Sequence, residues 1–375
     1  MHDFILKEIK NSQLEDELQS IGFDKSYIHE AWKKFKYRNI KIFNLTIPQA
    51  NILKQTALSV GADCATHRET ITGKVESSDC IIGGSLSQLE KIATKLTHQP
   101  FGLKKLGEQL KLTYNKKENS TKIVGILNLT NDSFSDGGAF IDYNLATQHI
   151  DKMINEGADI IDIGAESTRP NAKPVSSEDQ LKLILPILDY VANKPIQISI
   201  DTRCSTVAEE CLKRGASIIN DVSGFNYDSQ MPEIIAKYNA KIIIQHSKGT
   251  PETMQLNTEY DNLMDEIYLE LKSKIDIALS KGITKENIII DPGIGFGKTR
   301  EQNFEIIRRI EELYGLACPV MLGISRKSVL NMPDADNFTK DIYTVALNTL
   351  IIEKKVDYIR VHNVALHKQL LDLLK

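Results

Sequence analysis

The side chains able to do chemistry cluster at the ends of short apolar runs. "KIVGILN" ends at Asn128, "GADIIDIG" runs on into Glu166, Ser167, Thr168 and Arg169, and "PIQISID" ends at Asp201. "GASIIND" ends at Asn220 and Asp221, "AKIIIQH" at His246, and "ENIIID" at Asp291. "PVMLGIS" leads into Ser325, Arg326 and Lys327, and "DYIRVH" closes on Arg360 and His362. One Asp or Asn after a strand is ordinarily a helix cap or a turn residue. So many runs ending in this way are more than capping explains. Asp201, Asn220 and Asp291 offer acceptors and an amide, which suit a flat heterocycle bearing N–H donors and ring nitrogens. Arg169, Arg326, Lys327, Arg360 and His362 offer cationic donors for phosphate oxygens or a carboxylate. Together they point to an electron-poor heterocycle carrying an anionic group.

These residues converge only if the runs are strands of one sheet. The runs are continuous and β-branched, and amphipathic stretches such as "NLATQHIDKMINEG", "SEDQLKLILPILDYVANK" and "TVAEECLKRG" separate them. That alternation predicts βα units and a parallel sheet covered on both faces. About eight units in roughly 250 residues fit a (β/α)8 TIM barrel, whose strand ends share one chemical rim. An open doubly wound sheet is the competing arrangement. In a barrel, Asn128 to Ser133 of "GILNLTNDSFSDGG" join the rim.

The polar stretch "TYNKKENSTK" marks a linker at 113–121, between a small α/β domain (1–112) and the barrel (122–375). The first part predicts two helices, a strand near "IKIFNL", a helix around "PQANILKQTALSV", a strand near "DCIIGG" and the helix "SLSQLEKIATKL". The first twenty residues read as an acidic amphipathic helix and not as a signal peptide. Cys64, His67, Arg68 and Glu69 in "DCATHRET" match no metal-ligand spacing and read as a solvated loop. The 375 residues are 41% hydrophobic and 26% charged, a soluble globular composition. A formal net charge of −4 gives no reason to expect nucleic acid, and no apolar run is long enough for a membrane span. Five cysteines without a CxxC pair suit a reducing, cytoplasmic setting and argue against a zinc ribbon or disulfide framework.

"PGIGFGKT" (292–299) nearly matches a phosphate-binding Walker loop, but Pro292 stands where the first glycine belongs and lacks the N–H a phosphate cradle uses. Its glycines fit better as places where backbone passes close to a bound ring. A metal-dependent barrel hydrolase would need clustered imidazoles, and no HxH pair closes the first strand.

The ordered stretches "ILNLTNDSFSDGG", "GAESTRP", "SIDT", "INDVSG", "DPGIGFGK", "GISRKS" and "RVH" resemble the signature set of dihydropteroate synthase, over about residues 122–375. The resemblance implies condensation of 6-hydroxymethyl-7,8-dihydropterin diphosphate with p-aminobenzoate to 7,8-dihydropteroate and pyrophosphate, with Mg²⁺, in folate synthesis. It implies that Asp201, Asn220, Asp291 and Lys327 hold the pterin, with Asp201 and Lys327 catalytic. Asn128 would hold Mg²⁺ on the diphosphate, which Thr168, Arg360 and His362 would also bind. Thr168, Arg169, Pro170 and Phe296 would meet p-aminobenzoate. Ser325 and Ser328, at the start of a helix, would take its carboxylate. Gly137 and Gly138 would let the first loop move. Pairing into a homodimer and service as a sulfonamide target also follow from the family, although no self-complementary patch stands out.

Three positions depart from the family pattern: Asn131 stands for a proline, Ser247 for the methionine after His246, and Asn363 for the aspartate of "RVHD". None carries an assigned role, though Asn363 costs a charge beside the phosphate site. Two rival readings remain, a corrinoid-linked methyltetrahydrofolate methyltransferase-like barrel and a catalytically silent pterin-binding protein. Residues 1–112 carry no kinase or aldolase motif of the folate pathway, which argues against a second enzyme in the chain.

Overall fold

The N-terminal region is organised by two strand-to-helix junctions of one chemistry. Helices α1 (Leu14–Ser20) and α2 (Ile28–Phe35) precede β1 (Tyr37–Thr46), which turns directly into α3 (Ile47–Leu58); β2 (Asp63–Ala65) follows, and β3 (Ser77–Ser85) turns directly into α4 (Leu86–Leu96). At both junctions the last strand residue, Thr46 or Ser85, forms a capping box with a glutamine three residues on, Gln49 or Gln88. Each box satisfies the backbone N–H groups that a new helix leaves open. The sheet order is β1-β3-β2, antiparallel, and α5 (Leu103–Leu112) closes the unit. Its core is Leu53, Ile82, Leu89, Ile92 and Leu96 with Ala50, Ala57 and Ala93.

The structure is a computed structural model that describes residues 6–9, 13–112, 120–129, 143–167, 174–249 and 258–375. Thr168, Arg169 and Pro170 lie outside the described residues, as do Asn131, Ser133, Gly137, Gly138 and most of the 113–121 linker. The chain divides into two compact units, Met1–Lys116 and Lys117–Lys375. Two N-terminal expectations need correction. "DCATHRET" is not simply a solvated loop: Cys64 is buried in β2, paired across from Ile82. The opening residues are not one helix, because Leu6–Ile9 are irregular and Leu6 is exposed. Among the described residues of this stretch, Leu14 and Leu18 pack with Ile28, Phe23 and Trp32, and the helix forms there.

The second unit is built from β-branched runs such as Ile242–Ile244 and Ile288–Ile290, stable as strands buried on both faces. Its strands are β4 (Lys122–Asn128), β5 (Ile160–Gly164), β6 (Gln197–Asp201), β7 (Ile218–Asp221), β8 (Lys241–Gln245), β9 (Ile288–Asp291), β10 (Met321–Leu322) and β11 (Tyr358–Val361). Helices α6 (Tyr143–Asn155), α7 (Ser177–Val191), α8 (Ser205–Lys213), α9 (Met231–Lys237), α10 (Leu263–Ser280), α11 (Arg300–Arg309), α12 (Asn337–Glu353) and α13 (Val364–Leu373) alternate with them. All eight strands pair in parallel in the order β10-β11-β4-β5-β6-β7-β8-β9. A parallel bridge from Ile290 to Val320 joins β9 back towards β10. The second unit is therefore a (β/α)8 barrel and not an open sheet. No described helix is long and apolar enough to cross a membrane.

Strand alternation sorts the residues into layers. Val124, Ile160, Ile218, Ile243, Ile289, Met321 and Tyr358 form one buried cluster that plugs the bottom of the barrel. Their chain neighbours on the opposite faces, among them Ile161, Ile219, Ile290 and Ile359, pack in the helix-facing core. Two residues beyond the plug, the same inward face carries Asp162, Asn220, Gln245, Asp291 and Arg360. A slip of one residue would turn these groups into the apolar helix layer, so the register is strongly specified.

Candidate active site

The inner layer is wired together by one guanidinium. Arg360 on β11 donates from Nε to Asp162 Oδ2 at 2.6 Å and from Nη2 to Asp201 Oδ2 at 2.7 Å. Asn220 Nδ2 donates to the same Asp162 oxygen at 3.1 Å. Gly164 lies opposite Asp201 in the sheet, and a Cβ there would sit 3.1 Å from that of Asp201, so the glycine leaves the aspartate its place. Asp162 is a site residue that the strand-end reading missed. Its signal was present in "GADIIDIG", where it stands two residues before Gly164 and so shares the inward face.

Asp162 Oδ1, Asn220 Oδ1 and Ser199 Oγ are buried and have no hydrogen-bond partner among the described residues. Buried oxygens are nearly always paired. Three orphans in one layer, beside a cation, form a floor suited to a ligand that brings N–H donors. Burial pushes the Asp201 carboxyl up to about 7 although Arg360 opposes the shift, and Asp162 and Glu166 add to it. Burial also raises Asp291, whose Oδ1 accepts from Gly293 N at 2.7 Å. Burial pulls at the Arg360 charge as well, yet Asp162 and Asp201 together hold it above its ordinary value.

Lys327 enters from the loop after β10. Its Nζ donates to Ile294 O at 2.8 Å and lies 4.6 Å from the centre of the Phe296 ring. Burial draws this ammonium down to about 8, against the pull of Asp291. Beside it, Ser325 Oγ lies 2.8 Å from His362 Nδ1 and accepts from His362 N at 3.2 Å. Ser328 does not begin an α-helix. It opens the three-residue 3-10 turn Ser328–Leu330, and the next helix starts only at Asn337, so the helix-dipole argument for a carboxylate there does not apply.

Other strand-end residues serve the scaffold. Asp221 faces the helix layer and accepts from Ser223 N and Phe225 N, closing a turn. Glu166 forms a two-point pair with Arg203 at 2.9 and 3.1 Å. Arg326, at φ +59°, does the same with Asp341, both contacts at 2.8 Å. His246 is buried and turned towards Glu270 and Lys298, away from the floor. Asn128 stands at the end of β4, opposite Gly164.

Among the described residues no group of three or more His, Cys, Asp or Glu could hold a metal ion. An Mg²⁺ ion that shares a diphosphate needs no such cage, because it keeps most of its waters and takes few protein oxygens. The hard amide oxygen of Asn128 fits that requirement.

The family of pterin binding enzymes matches residues 124–362. A dihydropteroate synthase of Clostridium beijerinckii is 44% identical over 249 residues, covering 65% of this chain and 89% of its own length. A bifunctional dihydropteroate synthase/dihydropteroate reductase of Helicobacter pylori is 34% identical over 99% of this chain and 98% of its own length. Among solved structures, the dihydropteroate synthase of Clostridium difficile in the presence of pteroic acid superposes with a TM-score of 0.64 at 41% identity, covering 69% of this chain and 97% of that one. With the matched residues spanning the polar floor from β4 to His362, the chain belongs to the dihydropteroate synthase family of transferases.

Proposed function

We propose that the inner polar layer binds the dihydropterin ring and that the cations above it bind the diphosphate. The observation that carries this division is the set of orphaned acceptors, Asp162 Oδ1 and Asn220 Oδ1, beside the Arg360 guanidinium. Asp162, Asn220 and Asp291 accept the ring N–H groups, and Lys327 donates to a ring acceptor. Arg360 uses Nε and one Nη2 proton on carboxylates, and its remaining donors are available to diphosphate oxygens. His362, set by Ser325, adds a second contact. Asn128 would hold Mg²⁺, which when bound would neutralise charge on the leaving diphosphate.

Departure of pyrophosphate leaves positive charge on the methylene conjugated to the pterin. The Asp201 carboxylate stabilises that charge from a fixed position in a dry site. The arylamine then attacks the methylene carbon, its nitrogen lone pair forms the C–N bond, and the amine proton leaves to solvent. Phe296 provides an apolar wall for p-aminobenzoate, Ser325 and Ser328 take its carboxylate, and Thr168, Arg169 and Pro170 are assigned to the same substrate. Mg²⁺-dependent pyrophosphate release, assayed with and without p-aminobenzoate, tests the scheme. Release that requires the arylamine supports it, and pterin binding without turnover would favour the silent-binder reading.

Two additions have separate support. Helix α12 exposes Phe338, Ile342, Tyr343 and Leu350 along one face, an apolar stripe that suits a second copy of the chain. Sedimentation should show a dimer that Ile342→Glu weakens. The full-length match to a bifunctional relative favours a second activity, reduction of dihydropteroate. Incubation of 7,8-dihydropteroate with reduced nicotinamide or reduced flavin should then yield the tetrahydro product, and unchanged substrate with both donors would remove this reading. The five free cysteines support the cytoplasmic location.

A further inference from the structure

Beneath the loop joining β9 to α11 runs a chain of charged side chains that the reaction scheme leaves unused. Lys298 is 3% exposed, and its Nζ meets His246 Nδ1 at 2.9 Å, Phe296 O at 2.9 Å and Gly293 O at 3.1 Å. His246 Nε2 lies 3.1 Å from Glu270 Oε2 on α10. Glu270 Oε1 takes Lys274 Nζ at 2.7 Å, and Lys274 also reaches Gln245 O at 3.3 Å.

The donors and acceptors close in one way. A carboxylate only accepts, so His246 donates Nε2–H to Glu270 and its Nδ1 accepts from Lys298. The two loop carbonyls take the other Lys298 protons. An ammonium has three N–H donors and no lone pair, and here each donor has an acceptor.

The gripped loop is tightly seated. Gly293 has φ +69°, and a Cβ there would lie 2.0 Å from His246 O. Asn303 Oδ1 holds Gly295 N from the other side at 2.8 Å. The same loop presents the two groups that meet Lys327, the carbonyl of Ile294 and the ring of Phe296.

We propose that Lys298, set by His246 and Glu270, is a positioning residue for the synthase reaction, fixing the Gly293–Gly297 loop so that Ile294 O and Phe296 hold Lys327 in place for the pterin. This inference rests on the pterin-binding role of Lys327 given above. The charged groups facing Lys298 are Asp291 from β9, Glu270 and Lys274 from α10, and Lys327 from the loop after β10. Burial is the largest influence and draws Lys298 down to about 7, while Asp291 and Glu270 resist the fall. Above that pH the amine keeps two donors for three acceptors, so one contact, to His246 or to a loop carbonyl, is lost and the grip on the loop weakens. Glu270 does not figure among the groups acting on Lys327, which are Asp291, Arg360 and Asp201.

The test is steady-state kinetics against pH on the full chain, normalised to the folded fraction, for the wild type, Lys298→Met and Glu270→Gln. Lys298→Met should raise KM for the pterin diphosphate on the order of tenfold, with a smaller effect on kcat. Glu270→Gln should move the alkaline limb of kcat/KM to lower pH. A Lys298→Met protein that melts earlier but keeps its KM would reduce the network to a fold brace and overturn the proposal. So would a Glu270→Gln profile superimposable on the wild type, and that variant decides the matter alone if Lys298→Met does not fold. Lys327→Met separates the two levels: an unchanged pterin KM in that variant removes the role of Lys327 itself.

Discussion

The two units of the chain solve the burial problem in opposite ways. In the N-terminal unit the buried polar residues are Thr56, Thr70, Ser78 and Ser85, and no charged side chain is buried among the described residues. The barrel buries Asp162, Asp221, Lys274, Asp291, Lys298, Asp341 and Asp357. Burying a charge is costly unless it is paired, so the barrel gives up stability that the smaller unit retains. The buried charges of the barrel divide in two: Asp162 and Asp291 stand in the polar floor, while Asp221 and Asp341 brace the scaffold.

The sharpest way to break this comparison is Asp201→Asn. If Asp201 stabilises developing positive charge, kcat should fall by about 10²–10³-fold. Stability should move the other way. The folded carboxyl stands raised from 3.8 to about 7, so its contribution to stability is complete below the unfolded value and is lost as pH rises through the folded one. The Asn variant should therefore gain on the wild type between about pH 4 and pH 7, as melting curves across that window would record. Wild-type kcat/KM should rise over the same interval as the carboxylate forms. Retained turnover, or a profile flat through this interval, would remove Asp201 from the mechanism.

A smaller effect is expected from the apolar unit. Leu53 is fully buried among Ile82, Leu89 and Ile92. Leu53→Ala should cost about 2–5 kcal/mol, measured by denaturant unfolding of the N-terminal unit. Synthase kcat/KM per folded molecule should stay within about twofold, because Leu53 packs in the core of its own unit. A large kinetic loss would show that the barrel depends on its neighbour. Loss of dihydropteroate reduction alone would assign that chemistry to the N-terminal unit.

Much of this was legible in the sequence, for a physical reason. Barrel strands are continuous β-branched runs, and the polar residues that end them break the pattern visibly. Asp162 was hidden because it sits inside a run, where only the inward register reveals it. The Lys298 network was hidden because its members come from β8, α10 and the β9 loop, and Glu270 alone reads as an ordinary charge on an amphipathic helix. β2 has only three residues, too few for alternation to show. The two-residue β10 was overestimated from "PVMLGIS", in which only Met321 and Leu322 form the strand.

The mildest test concerns Asn363, where the family pattern has aspartate. Read as sequence, the change removes a negative charge beside the diphosphate. In the folded chain the side chain is engaged elsewhere. Its Oδ1 accepts from Leu366 N at 3.1 Å, capping α13, while Nδ2 donates to Asp341 Oδ2 at 3.3 Å. Asn363→Asp would keep the cap and gain about 0.3–1 kcal/mol from the helix dipole. It would lose the bond to Asp341 and set two carboxylates face to face, with the Arg326 pair on Asp341 limiting the repulsion. The opposing effects leave a net change within about 1 kcal/mol in melting, and kcat should not move. A kcat change beyond about threefold, roughly 0.6 kcal/mol in the barrier, would mean that the charge at this position is felt at the diphosphate after all. The helix cap would then be the lesser of its two roles.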